Sequence, residues 1–162
     1  MLSALQRGQV WEGWLAAEVR ALYFADLCHR YQRAQRTITW ATLAASSGAT
    51  ASLIAELPAD LLPWRVVLAL LATLLTLWSL VFNYNKNTTD CSDLHLRWNK
   101  LGMEYAALWN DMYTPEAPRL LNELRNREAD LAKASNAFPN RERLMRRWQA
   151  HVVNHRRQEQ AA

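Results

Sequence analysis

The chain has 162 residues, a formal net charge of +4, 51% hydrophobic and 21% charged residues, and two cysteines. Its glycines, Gly8, Gly13, Gly48 and Gly102, are scattered too widely to build a phosphate-cradling loop, which excludes a nucleotide site of that kind. The excess positive charge points to an anionic partner, and its distribution decides where that partner would bind.

Residues 1–36 carry five arginines ahead of the first apolar run, which excludes a short secretory leader. Within this segment Trp14, Ala17, Ala21, Phe24, Cys28 and Tyr31 recur at three-four spacing and predict an amphipathic helix that continues into that run. Two stretches without a charge come next, Thr37 to Ala55 and Val66 to Asn85, separated by Glu56 to Arg65 with Pro58 and Pro63. At about 1.5 Å per residue each reaches roughly the 30 Å of a bilayer core. A connector so short makes the pair an antiparallel hairpin. The competing reading is a bundle with two buried central helices, but a helix of that length ordinarily keeps a charged face toward water, and neither run has one.

The expected fold is therefore an all-α membrane protein. A transmembrane hairpin over 37–85, with spans of about 37–56 and 65–85, follows an N-terminal helix over 1–36. Cytosolic helices over 86–138 and a basic tail over 139–162 come after it. Arg30, Arg33 and Arg36 before the first span and Lys86, Arg97 and Lys100 after the second outweigh Arg65 in the loop, so both termini are expected in the cytoplasm of a bacterial inner-membrane protein. Trp40, Trp64 and Tyr84 fall near the membrane surfaces this implies.

The two runs differ in composition. Leu68, Leu70, Leu71, Leu74, Leu75, Leu77 and Leu80 dominate the second, whereas the first is built of alanine, serine and threonine. Thr39, Thr42, Ser46 and Thr50 place four hydroxyls on one helical stripe, beside a small-residue edge at Ala44, Gly48 and Ser52. Two readings stand: a helix-packing interface with hydroxyls bonded back to carbonyls, or the wall of a pore. Two helices cannot enclose water, so a pore needs a homo-oligomer; the sequence does not encode its number, and a tetramer would supply eight spans, enough for four small-residue helices around a narrow path.

Leu94, Trp98, Leu101, Tyr105, Leu108 and Met112 predict a further helix. Pro115 and Pro118 break the chain, Leu121, Leu124, Leu131 and Phe138 mark another helix, and Pro139 precedes a last one from Arg141 to about Arg157. In this tail Arg141, Arg143, Arg146, Arg147, Arg156 and Arg157 face only Glu142 and Glu159, so it holds the whole chain's charge excess. It reads as a solvated face, a contact for anionic lipid headgroups, or a site for phosphates of a nucleotide or single-stranded nucleic acid. For the last, Arg143, Arg146, Arg147, Arg156 and Arg157 are the candidate contacts, with Trp148 placed to stack on a base.

Catalytic residues, metal ligands and cofactors are not expected. His151 and His155 share a helix face, but Val152 stands where a metalloprotease motif needs glutamate. Asp90, Asp93 and Glu104 read as caps and exposed pairs, and Cys28 and Cys91 as reduced packing residues.

A basic helix entering a small-residue span, a short hairpin, a leucine-rich span and then the helix carrying Asp90, Leu94, His95, Trp98, Leu101, Glu104, Tyr105, Leu108 and Trp109 together resemble the SLATT family, over roughly Ala16 to Met112. The resemblance lies in architecture and carries no catalytic residues. It implies an oligomeric pore- or channel-forming effector of anti-phage defence and abortive infection, gated by a nucleotide signal from a partner nucleotidyltransferase. The alternative is a non-conducting, membrane-anchored helical scaffold that recruits a cytosolic partner. An integral membrane enzyme is disfavoured, because the spans hold no titratable cluster.

Overall fold

The computed structural model describes residues 2–54, 67, 70–78 and 84–161; the side chains of 48–54, 84–85, 157 and 159–161 lie outside that description. Four helices have defined bounds: α1 (Ala4–Ile54), α2 (Tyr84–Asn110), α3 (Ala117–Ser135) and α4 (Glu142–Ala161), and residues 70–78 are also helical. The chain divides into two compact units, one of 1–27 with 90–162 and one of 28–89.

Local chemistry sets the helix ends. Ser3 and Gln6 form a reciprocal capping box at the start of α1: the Gln6 N–H donates to Ser3 Oγ at 3.2 Å, and the Ser3 N–H donates to Gln6 Oε1 at 2.9 Å. Pro118 sits in the first turn of α3, where its missing N–H costs nothing, so it helps begin that helix. The break lies just before it, in the turn over 111–116. Phe138, expected on the α3 stripe, falls beyond Ser135 in the α3–α4 connection.

In the first unit four helices share one core. Val10, Ala17, Phe24 and Leu27 of α1 are buried together with Cys91, Leu94, Trp98, Leu101, Tyr105 and Leu108 of α2, which follow the three-four period without a fault. Ala117, Leu121 and Leu124 of α3 and Leu144 and Val152 of α4 complete it. The α1–α2 crossing is close because glycine permits it. A Cβ built on Gly13 would stand 2.6 Å from Tyr105 Cζ, inside any allowed contact.

The second unit is different in kind. Along α1 beyond Leu27, Ile38, Ala41, Thr42 and Ala45 form a half-buried stripe, while Trp40 and Leu43 are exposed. In the helical stretch 70–78 only Ala72 and Leu75 are half-buried, and Leu70, Leu71, Leu74, Leu77 and Trp78 are exposed.

The transmembrane hairpin is corrected by this structure. No helix among the described residues is long and apolar enough to cross a membrane, and the two-pass, inner-membrane placement with cytoplasmic termini is corrected with it. The physical reason is visible in the first run. It is the continuation of α1 that the sequence predicted, but its alanines, serines and threonines contribute far less transfer free energy than leucine. Of the second run, residues 67, 70–78 and 84–85 are among those described. The connector Glu56 to Arg65 and the leucines Leu68 and Leu80 lie outside the described residues.

Candidate functional site

Two regions of the first unit gather chemically versatile side chains: the face of α4 assigned above to an anionic ligand, and a polar network around Arg20 that no local sequence pattern announces.

Helix periodicity divides α4 into faces. Leu144, Trp148, Val152 and Arg156 are spaced four apart; Leu144 and Val152 are buried, and Trp148 and Arg156 are half-buried. Arg156 is held there by α1: its Nε and Nη2 donate to Glu18 Oε2 at 3.2 and 3.0 Å, and its guanidinium lies 4.2 Å from the centroid of Trp14. A cation bonded and stacked in this way fastens α4 to α1. Arg143, Arg147, His151 and His155 form the neighbouring stripe and are exposed. Arg146, also exposed, pairs with Glu142 at 3.1 Å one turn earlier, an interaction worth only about 0.3–0.5 kcal/mol at the surface. Trp148 stands edge-on to His151 with centroids 5.6 Å apart, under the Arg147 guanidinium at 5.7 Å. Its indole N–H is shielded from solvent and finds no hydrogen-bond acceptor among the described residues. The structure thus leaves Arg143, Arg146 and Arg147 exposed, half-buries Trp148 beside them and commits Arg156 elsewhere, while the Arg157 side chain lies outside the described residues.

The hydroxyl stripe of α1 is likewise divided. Thr39 is exposed; Thr42 is half-buried and its hydroxyl donates to Ile38 O at 2.9 Å; Ser46 is exposed and donates to Leu43 O at 3.0 Å. The side chain of Thr50 lies outside the described residues. Thr42 and Ser46 therefore spend their hydrogen on their own helix, as Thr37 does on Arg33 O and Thr76 on Ala72 O. In the same unit the Cys28 thiol contacts Thr88 O at 3.8 Å, and burial pushes its pKa up, which keeps it protonated and poorly nucleophilic.

Arg20 is the centre of the second region. Its guanidinium lies 4.5 Å from the Trp98 ring centroid and donates to Glu128 Oε1 at 3.4 Å. The other oxygen of Glu128 accepts the Tyr105 hydroxyl at 3.1 Å. Burial pushes the Tyr105 pKa well above its ordinary value, the Glu128 charge and hydrogen bond add to the rise, and Arg125 opposes it. Trp98 Nε1 donates to Ser135 Oγ at 3.1 Å, and Ser135 in turn donates to Leu131 O at 2.7 Å. The fully buried Trp98 and Tyr105 therefore have their polar atoms satisfied. Nearby, His95 Nδ1 lies 2.8 Å from the Ala21 carbonyl, which can only accept, so Nδ1 carries the proton.

Beside Arg20 opens a cavity of about 270 Å³ between α1, the end of α3 and the α3–α4 connection. The Tyr23 hydroxyl holds that connection in place by donating to the Pro139 carbonyl and accepting the Arg141 N–H at 3.4 Å. The sequence offered no signal for this region, because Arg20 and Glu128 are 108 positions apart. No group of three or more metal-ligating side chains occurs among the described residues.

No family model, curated protein or solved structure matches the chain.

Proposed function

We propose that the chain is a non-enzymatic, self-associating helical scaffold, in which the 28–89 unit is the assembly module and the four-helix unit is the docking platform for an anionic partner. One observation carries the reading. Of the twelve exposed large apolar side chains identified among the described residues, eight belong to the 28–89 unit: Trp40, Leu43, Val67, Leu70, Leu71, Leu74, Leu77 and Trp78. Concentrated apolar exposure of this sort marks an association surface. A second copy of the chain is the occupant the chemistry favours, because residues 37–54 and 70–78 carry no charge and an equally charge-free complement is what the same segment of another copy supplies.

Sedimentation of the full chain tests the reading. Wild type forms a discrete oligomer, and the double variant Trp40→Glu, Leu74→Glu sediments as a monomer with unchanged helix content. A monomeric wild type overturns it. So does a wild type that floats with phosphatidylcholine–phosphatidylglycerol vesicles or releases a trapped dye, since the apolar side chains would then meet lipid.

The outer region of α4 supports a polyanion as the docked partner, with Arg143, Arg146 and Arg147 exposed beside Trp148. Binding of single-stranded oligonucleotide would lose affinity steeply with salt, and Arg143→Gln with Arg147→Gln would reduce that slope by about 1.4, near 0.7 per lost phosphate contact. Equal salt dependence in wild type and variant returns the stripe to a solvated face.

A further inference from the structure

We propose that Arg20 heads a binding pocket for a small planar carboxylate, formed by the cavity between α1, the end of α3 and the α3–α4 connection. The proposal is independent of self-association, since every lining residue belongs to the four-helix unit. Three features of the cavity define its ligand.

The first is donor capacity. A guanidinium has five N–H donors, and among the described residues Arg20 uses one, in a bond to Glu128 of 3.4 Å. A well-made charge-assisted bond is shorter by about 0.5 Å, so Glu128 restrains the fork without saturating it. The Trp98 ring holds the fork flat, and 33% of the Arg20 side chain remains exposed. Glu128 is also occupied by the Tyr105 hydroxyl on its second oxygen, which directs that carboxylate away from competition for the remaining donors.

The second feature is the wall. Tyr23 and Phe24 meet edge to face at 5.2 Å, and Phe24 meets Phe138 in the same manner at 5.9 Å, so three packed rings back the cavity. Tyr23 and Phe24 are themselves buried and hold the half-buried Phe138 in place, and the Phe138 ring offers an apolar contact that a flat ligand can use and a bare tetrahedral anion cannot. The Tyr23 hydroxyl is spent on Pro139 and Arg141. The third feature is the rim: Asn136 and Asn140 bring two amides that donate and accept hydrogen bonds. A cavity of about 270 Å³ is large enough for an aromatic acid.

Calorimetric titration of the full chain with benzoate, its neutral isostere benzamide, and inorganic phosphate tests the assignment. Benzoate binds saturably, and benzamide and phosphate bind at least about tenfold more weakly, the equivalent of one charge-assisted contact or of the apolar wall. Arg20→Gln removes benzoate binding. Asn140→Trp, an exposed substitution that fills the cavity and leaves the Arg20–Trp98 stack intact, removes it as well, and decides the matter if Arg20→Gln fails to fold. Equal binding of benzoate and benzamide, equal binding of benzoate and phosphate, benzoate binding undiminished in Asn140→Trp, or no saturation below about 10 mM each overturns the proposal.

Discussion

The two units use helices of similar regularity for opposite ends. All nineteen buried apolar residues identified among the described residues, from Leu2 to Val152, belong to the 1–27 and 90–162 unit, and none belongs to 28–89. The four-helix unit buries indole, phenol and leucine side chains and satisfies the polar atoms of Trp98, Tyr105 and Tyr23 internally. Among its described residues, the other unit turns its large apolar side chains outward and reaches at most half-burial, at Ile38, Ala41, Thr42 and Ala45 of α1 and at Ala72 and Leu75. A helix that is apolar all round has no solvated face to stabilise it in water, so its stability depends on what covers it. On the proposed reading, one unit owes its stability to its own packing and the other to association, and the same kind of substitution should have different consequences in each.

The largest effect is expected at Trp98, buried against Arg20 and bonded to Ser135. Trp98→Ala should cost about 3–5 kcal/mol in chemical denaturation of the full chain. Gly13→Ala should follow at about 1–3 kcal/mol, because the new methyl collides with the Tyr105 ring and neither helix can yield cheaply. Tyr105→Phe should cost about 1 kcal/mol by removing the bond to Glu128. It should also remove a pH dependence. Tyr105 holds its proton more tightly folded than unfolded, so its contribution is fully present below the ordinary tyrosine value near 10 and is lost as pH rises above it. Wild type should therefore weaken with alkali more than Tyr105→Phe, as denaturation midpoints between about pH 8 and 11 would register. The smallest effect belongs to the other unit. In the dissociated protein Leu74→Glu should change stability by less than about 0.5 kcal/mol while changing the oligomer. A cost of several kcal/mol there would mean that Leu74 belongs to an intrachain core, and the contrast between the units would collapse.

Much of the helical framework was legible residue by residue. The three-four spacing from Leu94 to Leu108 became the buried face of α2, and the stripe from Trp14 to Tyr31 lies on a helix that continues past Thr37 without interruption. Phe138 shows the limit of such reading, since a fourth member of the α3 pattern turned out to line a cavity from a connection. The charge-free runs were read as membrane spans because length and absence of charge satisfy that pattern. Composition overrules it in the first run, where hydroxyls and methyls supply too little apolar surface.

The six arginines of the tail looked alike in sequence. Periodicity alone separates Arg156 from Arg143 and Arg147, but only Glu18 and Trp14, more than 130 positions away, make that separation consequential. Sequence by itself determined most of the helices, the break before α3 and the concentration of positive charge at the end, because these depend on composition and on interactions within one or two turns, whereas Asp90, Asp93 and Glu104, read as caps, lie inside α2. Tertiary structure alone decided which arginine fastens one helix to another, which one opens onto a cavity, and which apolar side chains found a core. Those outcomes depend on partners brought together from distant parts of the chain, and no local pattern encodes them.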